Sequence, residues 1–126
     1  MSYLKAKNLS ELLISKGMSI AIAESCTGGS LSSSLTSIPG ASNYFNCGFI
    51  TYSNESKISM LNVDPNSIKL FGAVSEKVAS EMAMGAGNNS NSNLAISVTG
   101  VAGPSGGTTE KPVSYTHLTL PTTERV

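Results

Sequence analysis

Two short runs carry the chemistry of this chain: Ala21-Ile22-Ala23-Glu24-Ser25-Cys26-Thr27-Gly28-Gly29 and Tyr52-Ser53-Asn54-Glu55-Ser56-Lys57. The first reads as a buried strand ending abruptly in small, polar and glycine residues. Such a backbone can present a hydroxyl and unpaired N–H groups at a helix start. The second brings a tyrosine and a lysine to the end of another apolar strand. Together they predict a serine hydrolase that works without histidine. The one histidine, His117, lies in a C-terminal stretch of foreign character. Without it, no Ser-His-Asp or Cys-His arrangement can be built. Lysine is the best-attested replacement base when its ammonium is desolvated enough to lose a proton. For Lys57 to do so near neutral pH takes roughly 4 kcal/mol of differential stabilisation. That requires burial, with Ser25 and Tyr52 as hydrogen-bond partners.

Each of these residues also has a plain structural role open to it. Ser25 is not in a G-x-S-x-G elbow, because Ala23 stands two positions before it, and the run lacks the GK[ST] of a phosphate loop. Ser25 or Thr27 could simply cap the following helix. Cys26 is a rival nucleophile, but it has no histidine to form a thiolate pair. Taken alone, Lys57 reads more readily as a solvated helix lysine than as a base, and Tyr52 as a strand-end aromatic. Glu24 suits an orienting or capping carboxylate better than an acid catalyst. Gly100 and Gly103 serve either as turn residues or as places where backbone approaches a ligand.

The elements that must position these groups alternate in type. Leu4, Leu9, Leu12 and Leu13 recur at near-helical spacing and predict a first helix stopping at Gly17. Residues 18–23 are continuously apolar, as expected of a strand covered on both faces. A helix over 27–38 follows and ends at Pro39-Gly40. Residues 44–52 carry Phe45, Phe49, Ile50 and Thr51 and predict a strand. Ser53 or Asn54 then caps a short helix to Leu61. Pro65 to Phe71 predicts another helix, closed at Gly72, and Ser75-Glu76-Lys77 opens a longer one. After the Asn/Ser linker 88–93, Leu94 to Thr99 reads as a buried strand ending in Gly100, and Lys111-Pro112-Val113 reads as the start of a further one. This alternation predicts a layered α/β/α domain with a central mixed sheet. Strand ends after Ala23, Tyr52 and Thr99 converge on small-residue and glycine-rich turns, where ligands bind in such sheets.

Bulk composition narrows the partners. With 126 residues, 40% hydrophobic and 13% charged, the chain suits one buried core rather than a disordered segment. Net charge is zero and Lys and Arg do not cluster, so a nucleic-acid surface is not expected. No apolar run approaches the roughly 20 residues of a membrane span. Cys26 and Cys47 are too few for a disulfide scaffold or a zinc site. The expectation is a cytoplasmic protein acting on a small molecule, without nucleic acid or membrane.

Taken in order, Ala23-Glu24-Ser25-Cys26-Thr27-Gly28-Gly29, Pro39-Gly40-Ala41-Ser42, Tyr52-Ser53-Asn54-Glu55-Ser56-Lys57, Gly72-Ala73-Val74-Ser75 and Thr99-Gly100-Val101-Ala102-Gly103-Pro104 resemble the CinA C-terminal domain family from about Leu4 to Val113. Stand-alone members of that family are nicotinamide-nucleotide amidases. The resemblance implies hydrolysis of the carboxamide of nicotinamide mononucleotide to nicotinate mononucleotide and ammonia, with no metal or other cofactor. It also implies a homodimer when the chain is intact. Position by position, Ser25 would be the nucleophile, Lys57 its base and Tyr52 the third member of the group. N–H groups around Thr27 and Gly28 would form the oxyanion hole. Gly40, Ala41, Thr99 and Gly100 would line the nucleotide pocket, with the loop after Pro104 closing over it. The alternatives are a non-catalytic nucleotide-binding module and a competence- or damage-associated interaction domain.

The chain departs from the resemblance after Val113. Residues 114–126 hold four threonines and no glycine or alanine, and resemble translated adaptor sequence. The expectation is an incomplete domain over 1–113 that lacks its last strand and helix, with a non-native, poorly ordered or loosely paired tail. The alternative is a genuine divergent strand from Ser114 to Leu120. Truncation would leave an implied phosphate-binding arginine unplaced, and the chain inactive and prone to associate.

Overall fold

The computed structural model describes residues 2–101 together with the backbone of 115–119. Helices α1 (Tyr3–Lys16), α2 (Ser30–Thr36), α3 (Asn54–Leu61), α4 (Pro65–Phe71) and α5 (Glu76–Ser90) alternate with strands β1 (Ile20–Glu24), β2 (Phe45–Ile50) and β3 (Leu94–Thr99), followed by β4 (Tyr115–Thr119). The sheet runs β2-β1-β3-β4. The first three strands are parallel, and β4 closes the order antiparallel to β3. The predicted mixed α/β sheet is therefore present.

All five residues of β1 are buried, because helices cover both faces of the sheet. Ile20 and Ile22 point into one core with Ala6 and Leu13 of α1 and Leu35 of α2. Ala21 and Ala23 point into the other, with Leu61, Val78, Met82 and Ala86. This is the period-two alternation of a strand sandwiched between two layers. The alanine side admits α5 at close range. There Gly85 is required: a Cβ at that position would collide with the Leu61 carbonyl at the end of α3. The α3–α5 contact that glycine permits fixes the helix bearing Lys57.

Caps set the helix limits. Ser2, Ser53 and Ser75 each accept a hydrogen bond from a first-turn N–H of α1, α3 and α5. Gly17 and Asn62 close α1 and α3 in the left-handed conformation. Helix α2 begins at Ser30 rather than at the predicted Thr27. Gly28 and Gly29 adopt positive φ, and the Glu24 carboxylate takes the N–H groups of Gly29, Leu31 and Ser32.

Within the stretch expected to be poorly ordered or loosely paired, Tyr115–Thr119 form β4, in register from Thr99↔Tyr115 to Ala95↔Thr119. Threonine and tyrosine favour extended backbone, and the free edge of β3 offers a ladder to join. The predicted strand start at Lys111-Pro112-Val113 and the loop after Pro104 lie outside the described residues. Among the described residues, no helix is long and apolar enough to cross a membrane.

Candidate active site

Parallel pairing brings the carboxyl ends of β1, β2 and β3 to one edge. Glu24 pairs with Ile50 on one side and Val98 on the other. The backbone then locks one residue further on. Ser25 N–H donates to the Val98 carbonyl at 3.0 Å, and Thr51 N–H to the Glu24 carbonyl at 2.7 Å. Ser25, Thr51 and Thr99, each the residue at or just past a strand end, are thereby held side by side and buried.

Helix α3 starts from this edge, and Lys57 sits in its first turn with its side chain directed back at the strand ends. Its residue is 1% exposed. Lys57 Nζ lies 3.0 Å from Ser25 Oγ, 2.9 Å from the Thr51 carbonyl and 3.2 Å from the Tyr52 carbonyl. Burial holds the Lys57 ammonium below the ordinary lysine range, an effect only partly offset electrostatically by the nearby Cys26. The partner set suits a neutral amine. Two N–H bonds go to the two carbonyls, and the lone pair is left to accept the Ser25 hydroxyl proton.

Glu24, also fully buried, is treated in the opposite way. Its Oε1 accepts from the Thr27 hydroxyl at 2.6 Å and from the N–H groups of Gly29 and Leu31, both at 3.1 Å. Its Oε2 accepts from Ser32 N–H at 2.8 Å. Burial raises its pKa, but hydrogen bonding from Ser32, Thr27 and Leu31 more than reverses this and holds the carboxyl below the ordinary range. The capping role open to Glu24 in the sequence is the one its geometry displays.

Of the residues singled out in the sequence, Ser25 and Lys57 meet directly. Tyr52 joins them only through its main chain: its carbonyl faces Lys57, whereas its side chain is 64% exposed. The phenol is therefore not the hydrogen-bonding member that the sequence predicts. Helix α3 turns away at Ser53 and leaves the Tyr52 side chain pointing to solvent. Thr51, which nothing in the sequence marks, supplies the shorter carbonyl bond. A main-chain acceptor carries no signature in residue type.

The predicted oxyanion donors also change. Gly28 N–H is engaged with the Ser25 carbonyl at 3.1 Å, closing the turn. Within 25–33, the N–H groups of Cys26 and Thr27 alone lack a hydrogen bond among the described residues. Of the two predicted donors, Thr27 N–H is therefore without a partner among the described residues and Gly28 N–H is engaged. Thr99 and Gly100 do lie at the carboxyl edge. There the Thr99 hydroxyl donates to the Ala73 carbonyl at 3.0 Å and ties down the turn before α5. Gly40 and Ala41 do not join them. They precede β2, on the amino edge of the sheet, where the Tyr44 carbonyl accepts from Ile20 N–H. A parallel strand the length of β1 puts about 16 Å between the two edges.

Fold and site together define an α/β/α domain with a buried serine–lysine pair at the carboxyl edge of its parallel strands. The family described as CinA C-terminal domain matches residues 3–126, and the chain belongs to that family. A CinA-like protein of Chloroherpeton thalassium is 50% identical over 120 residues, which cover 95% of this chain and 29% of that protein. The chain thus spans less than a third of that relative's length. Among solved structures, the competence/damage inducible protein CihA of Agrobacterium tumefaciens superposes with a TM-score of 0.83 at 38% identity, covering 92% of this chain and 78% of that one. A CinA superfamily protein of Escherichia coli gives 0.80 at 34% identity, covering 91% and 74%.

Proposed function

We propose that this domain is an amidohydrolase of the Ser/Lys type, and that its substrate is nicotinamide mononucleotide. One observation carries the reading: Lys57 Nζ is buried 3.0 Å from Ser25 Oγ, with two carbonyls as its other partners. The substrate assignment rests on the family resemblance of the motifs.

In this mechanism neutral Lys57 takes the Ser25 proton as Oγ attacks the carboxamide carbon. The carbonyl oxygen becomes an oxyanion facing the Cys26 and Thr27 N–H groups. Lys57 then returns the proton to the departing nitrogen, which leaves as ammonia, and nicotinate remains esterified to Ser25. A water molecule, deprotonated by Lys57, cleaves the ester, and the proton goes back to Ser25. The products are nicotinate mononucleotide and ammonia.

The test is ammonia release from nicotinamide mononucleotide. It is measured on the 126-residue chain and on a chain in which residues 114–126 give way to a relative's continuation. Release that requires Ser25 in either form supports the reading. A folded protein of both forms that releases none, or one that releases it undiminished after Ser25→Ala, overturns it.

A further inference from the structure

We infer that Glu24 is a positioning residue for the oxyanion donors, acting through the turn it binds rather than on the substrate; this rests on the serine-nucleophile reading above. Every N–H from Gly28 to Ser33 is committed. Gly28, Ser30 and Ser33 donate to carbonyls, and Gly29, Leu31 and Ser32 donate to Glu24. The start of α2 therefore has no free donors, because the protein's own carboxylate occupies it. Among the described residues, Cys26 and Thr27, directly after Ser25, keep theirs.

The two facts are linked through Thr27. Its hydroxyl donates to Glu24 Oε1 at 2.6 Å, and its carbonyl accepts from Ser30 N–H at 3.1 Å. The Thr27 carbonyl anchors the peptide after Thr27, and the Ser25 carbonyl, which accepts from Gly28 N–H at 3.1 Å, anchors the peptide that carries Cys26 N–H, so the Cys26–Thr27 peptide is confined between two held ones. The Cys26–Thr27 N–H groups stay fixed beside the Ser25 hydroxyl. A fully buried carboxylate accepting four hydrogen bonds is a stiff anchor, since moving it would strand a charge without water. Donors aligned before reaction are what oxyanion stabilisation requires.

Glu24→Gln tests this, because the amide must offer an NH2 where a carboxylate oxygen accepted. The expected result is a kcat for nicotinamide mononucleotide lower by about a hundredfold, the scale of losing one oxyanion donor. KM and the affinity for nicotinate mononucleotide should stay within about threefold. Affinity for pyridine-3-boronic acid, which forms a tetrahedral adduct on a serine oxygen, should fall in step with kcat. The acid limb of the pH–rate profile should not move, because it belongs to Lys57. A folded variant with unchanged kcat overturns the inference, as does one whose product affinity falls as much as its kcat. Should the variant not fold, the parent protein decides by amide NMR. Boronate binding must shift the Cys26 and Thr27 N–H resonances, and an adduct that leaves both unmoved overturns the inference. Turnover surviving Ser25→Ala would instead retire the serine reading itself.

Discussion

Two turns at the carboxyl edge of the sheet each bury one ionisable side chain, and they prepare it for opposite states. The Glu24–Ser32 turn surrounds its carboxylate with four donors, three of them main-chain N–H groups. The Thr51–Lys57 turn gives its lysine two main-chain carbonyls and a serine hydroxyl, and no carboxylate. Both residues are equally hidden from water. Burial alone therefore does not decide charge. Glu24 is re-solvated by the backbone and stays ionised, whereas Lys57 is under-compensated and pushed toward the free amine. One turn is a rigid frame, and the other holds the lysine proposed above as the base.

The largest expected effect comes from breaking the lysine side of this pair. Ser25→Ala and Lys57→Met should each lower turnover by about 10⁴-fold or more, and the double variant should be scarcely slower than either single one. Steady-state rates with folding checked by circular dichroism read this out. Multiplicative losses would show the two side chains acting independently.

The frame that carries Lys57 can be broken from behind. A methyl group at Gly85 meets the Leu61 carbonyl, which main-chain geometry cannot easily move. Gly85→Ala should therefore cost about 3 kcal/mol, the upper end for overpacking in a core, measured by urea denaturation. Activity should fall beyond the loss of folded protein, since α3 must shift and Lys57 Nζ with it. A variant of unchanged stability would mean the α3–α5 contact is slack.

Much of this contrast was legible in the residues, and the limits of legibility are physical. Ser25, Lys57 and the strands behind them follow from apolar runs that stop at small residues, and the caps at Ser53 and Ser75 from the hydroxyl preceding each helix. What composition could not give was the main chain. The Thr51 and Tyr52 carbonyls, the engaged Gly28 N–H and the Cys26 N–H, without a partner among the described residues, depend on how each turn closes, not on side-chain type. Tyr52 misleads for that reason, since its position matters and its phenol faces solvent. Gly40 and Ala41 lie at the other edge of the sheet, a placement that sequence order does not reveal.

Both folded pKa values are depressed, so both groups predict stability that rises with pH, in separate windows below the ordinary carboxylate and the ordinary lysine values. The folded pKa of Glu24 is depressed, so its contribution is present above the unfolded value and lost as pH falls through the folded one. The stability difference between the parent and Glu24→Gln should thus narrow on acidification. The folded pKa of Lys57 is also depressed, but for a base this means that the folded state resists the proton. Its penalty is fully present below the folded pKa and is relieved as pH rises toward the ordinary lysine value. Stability of the parent should climb over that window, and Lys57→Met should lack the climb. Denaturation midpoints across pH give both slopes, and parallel curves for parent and Lys57→Met would mean that Lys57 is charged in the fold.

The smallest expected effect belongs to the side chain that the sequence made most conspicuous. Tyr52 reaches Lys57 through its carbonyl at 3.2 Å, and that atom is untouched by any side-chain substitution. Its ring is mostly exposed, and among the described residues the phenol makes no hydrogen bond. Tyr52→Phe should therefore leave kcat within about threefold of the parent, well under the 1.4 kcal/mol that a tenfold change represents. The pH–rate profile should keep its position, because the two carbonyls that set the Lys57 environment remain. Tyr52→Pro is the contrasting variant. Ring closure restricts both its own φ and the backbone of Thr51 before it, so it disturbs the carbonyl geometry while removing the same phenol. Activity lost in Tyr52→Pro and kept in Tyr52→Phe would assign the residue's contribution to its main chain. Activity lost equally in both would return the phenol to the site and show that the base is held by two side chains, those of Ser25 and Tyr52, rather than by one side chain and two carbonyls.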